Sequence, residues 1–126
     1  MAEEPIAFLR EGYRSPARTE YWSGAQVRFD RRELFQILTI YGRMVAAGEW
    51  RDYALDFLED AAVFSIFRRT SEMPLYRVEK RPKLRTRQGQ YGVIDAAGHI
   101  LKRGHDLALV LRVFDKKLIK ALAVQD

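Results

Sequence analysis

The feature that most constrains this chain is a change of hydrophobic period. A helical spacing between residues 30 and 47 gives way to short alternating runs from 50 to 103, and a helical spacing returns after 106. A 3.6-residue period and a 2-residue period cannot occupy the same element, so the order is helix, strands, helix. The first helix has a clear start. Asp30-Arg31-Arg32-Glu33 has the spacing of a capping box, with Phe29 and Leu34 placed as a hydrophobic staple. Leu34, Leu38, Tyr41 and Val45 then recur at helical spacing, with Ile37 and Met44 broadening the stripe. Gly48 is a natural stop, and these signals predict a helix over 31–47.

The middle of the chain reads as five short strands. Tyr53–Phe57 alternates, Glu59-Asp60 turns the chain, and Val63–Phe67 follows; Leu75–Lys80 ends at Pro82, which cannot donate to a ladder. Tyr91–Asp95 and His99–Lys102 flank Gly98 and form a hairpin candidate. Beyond them Asp106 can cap a single C-terminal helix along Leu107, Val110, Leu111, Phe114 and Leu118. Leu109, Val113 and Ile119 widen its apolar arc beyond what one sheet face needs, so the arc is either covered on both sides or forms a homodimer contact. A short lead strand at Gln26–Phe29 can join the sheet. The predicted fold is α+β, an antiparallel meander of about five strands with an N-terminal and a C-terminal helix packed on one face. Residues 1–25 hold no sustained period and read as a flexible N-terminal arm, although Phe8, Tyr13, Tyr21 and Trp22 give it more aromatic surface than a solvating tail needs. Residues 26–126 form the single domain.

Composition narrows the chemistry. At 126 residues the chain has room for one core. Without cysteine it has no disulfide, no thiolate nucleophile and no cysteine-held metal or cluster. No run approaches the roughly 18–20 apolar residues of a membrane span, and the first residues lack the layout of a secretory signal, so a cytoplasmic protein with no membrane partner is expected. Nucleotide-binding loops of the G-x-x-x-x-G-K-[ST] or G-x-G-x-x-G type are missing, and none of the serines sits in a G-x-S-x-G elbow. His99 and His105 lie six residues apart with Asp95 and Asp106 nearby, the one constellation that could build a small enzyme or a metal site, but neither spacing matches a metal motif. Asp56, Glu59 and Asp60 share one turn, which is not the facing pair that carboxylate catalysis needs. No catalytic residue, metal ligand or cofactor is assigned.

What rises above this background is charge. Residues 68–103 carry Arg68, Arg69, Arg77, Lys80, Arg81, Lys83, Arg85, Arg87, Lys102 and Arg103 against Glu72, Glu79 and Asp95. A genome rich in G and C would also favour arginine over lysine and suppress asparagine, which this chain lacks, so the bias has a bland source as well. Lys80–Arg87, opened by Pro82, can track a phosphate backbone, with Tyr76 and Tyr91 available to stack on bases. The expected function is a non-catalytic interaction module. It would bind an anionic macromolecule, nucleic acid or an acidic protein surface, through those ten cations. The alternative is a protein–protein adaptor using the C-terminal helix and the aromatic arm.

Three stretches, Glu33–Leu58, Phe67–Leu84 and Leu101–Asp115, resemble a family of small bacterial proteins that form a domain of unknown function. The resemblance covers most of residues 30–115 and leaves out the arm. It implies a bacterial cytoplasmic protein and carries over no site residue.

Overall fold

Asp30 opens the first helix as the spacing predicts. Its carboxylate accepts from the Glu33 amide at 2.8 Å, and the Asp30 amide donates to Glu33 Oε1 at 2.8 Å, so two amides that the helix start leaves open are satisfied reciprocally. The computed structural model describes residues 26–69 and 73–125; the arm expected at 1–25 lies outside the described residues. Helix α1 spans Arg31–Ala46, and the chain leaves it through Gly48 at φ +78°. The buried stripe is rotated from the expected one. Ile37, Ile40 and Met44 face the core with Glu33 at their head, whereas Leu34, Leu38 and Tyr41 flank it and Val45 is exposed.

Five strands follow: β1 (Asp52–Phe57), β2 (Ala62–Phe67), β3 (Tyr76–Lys80), β4 (Tyr91–Asp95) and β5 (Ile100–Gly104). They lie in sequence order and every neighbouring pair is antiparallel, which is the predicted meander. Gln26–Phe29 does not add a strand. Its backbone–backbone link is the Val27 amide on the Leu58 carbonyl at 2.8 Å, just past the end of β1. The C-terminal helix also departs from expectation: α2 (Leu107–Leu111) and α3 (Val113–Gln125) are separated at Arg112. There the Arg112 amide bonds to Leu109 and the Asp115 amide to Arg112, so three-residue rings tighten the turn without proline or glycine. Asp106 caps α2 through the amides of Ala108 and Leu109.

Strand alternation assigns the two sheet faces. Phe64, Ile66, Val78 and Val93 point toward the helices and form one cluster with Ile37, Met44, Val110 and Phe114. Both the N-terminal and the C-terminal helices thus pack on one face. Trp50 sits where they meet, edge-on to Phe114 at 4.9 Å, a geometry that adds to simple burial. No helix among the described residues is long and apolar enough to cross a membrane.

Two glycines with positive φ separate backbone strain from crowding. A Cβ at Gly98 (φ +92°) meets nothing, whereas one at Gly89 (φ +109°) would collide with the Gly104 backbone. Gly98→Ala should cost about 1–2 kcal/mol for the left-handed conformation alone. Gly89→Ala should cost a further ~1–3 kcal/mol because β5 must move. Urea unfolding of the two variants checks the order.

Candidate anion-binding surface

The meander separates the ten predicted cations. Each strand is five or six residues long, so the two ends of the sheet are about 16 Å apart. Lys80, Arg81 and the β3–β4 connection lie at the end shared with Ala62 and Gly104, whereas Arg68 and Arg69 follow Phe67 at the opposite end. Arg77 and Arg103 sit between, on the face turned away from the helices. Lys102 is exposed on edge strand β5. The sequence brings these residues together; the fold does not make one surface of them.

Several are committed inside the molecule. Lys80 Nζ donates to Glu33 Oε1 and to the Arg28 carbonyl, both at 2.8 Å, with 15% of its side chain exposed. Glu33 also accepts from the Tyr91 hydroxyl and from its own cap amide. This carboxylate is buried, and an ion that leaves water stays charged only when its lone pairs are met; three donors meet them here. Arg81 Nε reaches Glu79 Oε1 at 3.0 Å while its Nη1 is 3.5 Å from Asp60. The bond to Glu79 raises the Arg81 pKa further above its already high value. Arg103 is nearly buried 3.8 Å from Glu79. Arg68 keeps a loose pair with Glu49 at 3.9 Å.

Lys83, Arg85 and Arg87 are different. All three are exposed and have no ion pair among the described residues. They are carried on a fixed turn and not on a chain held open by Pro82. A 3₁₀ turn over Pro82–Leu84 starts it, the amides of Arg87 and Gly89 both return to the Leu84 carbonyl, and Gly89 rests against Gly104. That contact brings the turn to the end of β5, two residues from Lys102. The expected stacking residues are occupied elsewhere. Tyr91 is held by Glu33, and Tyr76 lies against Phe114 and beneath Lys117.

The other candidates do not converge. His99 is a turn residue at one end of the sheet, its amide and ring both on Asp95, and those bonds, the backbone one foremost, hold the half-buried Asp95 carboxyl below its usual pKa. His105 follows β5 at the other end. Among the described residues no group of three or more histidines and acids could hold a metal. An open cleft of about 330 Å³ between α3 and the loops around Trp50 and Leu75 contains Arg68, Lys117 and Lys120 but neither histidine.

The Glu33 knot has measurable consequences. Glu33→Ala strands the Lys80 ammonium and should cost about 3–5 kcal/mol. Lys80→Met leaves the carboxylate two of its donors and should cost only about 1–3 kcal/mol; chemical denaturation of both variants tests the asymmetry. Alkali gives a second readout. Burial, then Asp52 and Tyr53, pushes Tyr41 up to about 12, and burial followed by the Glu33 bond pushes Tyr91 higher still. In the unfolded chain both ionise near 10. Their contribution to stability is therefore complete below pH 10 and is lost as pH climbs through 12. Absorbance at 295 nm should show two tyrosines ionising late, with the melting temperature falling over the same interval.

No curated protein and no solved structure is significantly similar to this chain. A family model does match, over residues 27–111, a stretch that runs from the segment before α1 to the end of α2. The chain belongs to the family described as "Protein of unknown function (DUF2794)".

Proposed function

We propose that this protein is a non-catalytic interaction module, bacterial and cytoplasmic, that binds an anionic macromolecule through Lys83, Arg85, Arg87 and Lys102. The observation that carries the reading is the turn itself. It offers three cations within five residues, exposed, on a backbone already fixed by its own hydrogen bonds, with no acid neutralising them among the described residues. A preordered turn loses little entropy on binding. Alternating cations on it can follow a phosphate backbone or a row of carboxylates. Lys80, Arg81 and Arg103 support the surface from beneath through their own acids. They do not extend it.

A second reading rests on a separate observation. Leu109, Ile119 and Leu122 on α2 and α3 are exposed, Ile119 by 68%, which favours an adaptor or homodimer contact along these helices.

Four phosphate contacts predict a salt slope near −3.6 for duplex DNA, hence roughly 150-fold weaker binding at 200 mM than at 50 mM salt. The triple variant Lys83→Ala, Arg85→Ala, Arg87→Ala should flatten the slope to about −0.9 without changing the melting temperature. Fluorescence anisotropy with labelled DNA, RNA and polyglutamate measures both. Affinity for polyglutamate alone would assign the surface to acidic proteins. Failure of all three probes to bind at low salt would end the proposal.

A further inference from the structure

The cleft of about 330 Å³ beside Trp50 lies at the end of the sheet away from the Lys83–Arg87 turn, and backbone bonds hold its walls. After α1 the amides of Glu49 and Trp50 return to the Met44 carbonyl at 2.9 and 3.4 Å. The Arg51 amide on Phe67 fixes the exit of β2, and hence Arg68, at 2.9 Å; the Leu75 amide on Ile66 fixes the entry to β3 at 2.7 Å. Lys117, Lys120 and Ala121 come from one side of α3. The side chains within reach of a ligand are of two kinds. Arg68, Lys117 and Lys120 are exposed, and Leu75 and Tyr76 are half-buried beside them. Against three cations the lining has one acid, Glu49, which leaves two positive charges unmatched. Glu49 does not hold Arg68 firmly: the two groups stand 3.9 Å apart, beyond hydrogen-bond length, with 54% and 40% of their side chains exposed. Lys117 rests over the Tyr76 ring, 5.5 Å from its centre. A second cleft, of about 470 Å³, shares Trp50 and Arg68 with the first and adds Arg51 and Arg69 but no acid, so the positive potential rises toward Arg68.

We propose that this cleft binds a small organic phosphate, a phosphate monoester carried on an apolar or aromatic body. At neutral pH the monoester has about two negative charges, the number the lining leaves unmatched, whereas a carboxylate would answer half of it. The flat guanidinium fork of Arg68 takes two phosphate oxygens, and the two lysines act as point charges. The body lies on Leu75 and Tyr76, above the buried Trp50 and Met44 that close the floor. Binding exchanges the loose Glu49 pair for charge-assisted hydrogen bonds. The site is independent of the Lys83–Arg87 reading, and the two are separated by the ~16 Å length of the sheet.

The test is an NMR titration of the full-length protein, labelled at arginine side chains and indole nitrogens, with 1-naphthyl phosphate. The Arg68 Nε–H and the Trp50 indole should shift together and saturate. Inorganic phosphate, which lacks the body, should bind about tenfold more weakly. The singly charged 1-naphthoate should bind about threefold more weakly. Followed at Trp50, Arg68→Gln and Lys117→Gln should each weaken 1-naphthyl phosphate about tenfold, whereas Lys116→Gln, outside the cleft, leaves its affinity unchanged. Glu49→Gln should tighten it about threefold, a gain that misfolding cannot mimic. Shifts that do not saturate, or equal affinity for inorganic phosphate, would reduce the cleft to a diffuse cationic patch and overturn the proposal. Equal or tighter binding of 1-naphthoate overturns the choice of a phosphate. An unchanged affinity in Glu49→Gln overturns the placement beside Arg68.

Discussion

One buried carboxylate ties the helical layer to the sheet. Glu33 caps its own helix through the Asp30 amide, holds Lys80 at the end of β3, and takes the hydroxyl of Tyr91 at the start of β4. Because a lone buried ion is costly, the three donors must arrive together, and that requirement fixes the rotation of α1 over the sheet. The fixed rotation turns Ile37, Ile40 and Met44 inward. It also decides what remains for function. Lys80 and Tyr91, on either side of the basic turn, are both taken by Glu33, so of the cations in Lys80–Arg87 only Lys83, Arg85 and Arg87 have no ion pair among the described residues.

Elements were legible where local chemistry alone decides them. The capping box, the turns at Glu59-Asp60 and Gly98, and the alternation of the strands are each written in a few adjacent residues, and the fold follows them. The lead strand failed because four residues with one amide contact cannot form a ladder. The break at Arg112 has no sequence marker, since tightened rings there need neither glycine nor proline. The apolar spacing from Leu34 to Val45 does not mark the buried stripe of α1, because a charged residue heads it: Glu33 precedes Ile37 by four and Ile40 by seven on the buried face.

The cations show a different limit. A charge count along the chain treats Lys80 and Lys83 alike, although one ends a strand beneath a helix and the other opens a solvent-facing turn. Strand parity could have separated some of them: Arg77 and Glu79 must share a face, and Gly92 opposite Arg103 leaves room for a long side chain to lie flat. It could not have shown that Glu33, 47 residues away in sequence, takes Lys80 out of the surface.

The pairing that removes cations also sharpens the field of those that remain. Asp60 lies at the same end of the sheet as the Lys83–Arg87 turn, and Arg81 stands 3.5 Å from it, at the root of that turn. Since bare charges within about 8 Å feel each other at physiological salt, an unpaired Asp60 would draw the turn's own cations inward. With Arg81 opposing it, and Glu79 beneath shared between Arg81 and Arg103, the acids near the turn are engaged from below. A small domain with little concave surface can thus keep a positive tip without a large net charge, because its arginines are divided between those that satisfy its own carboxylates and those that have none to satisfy.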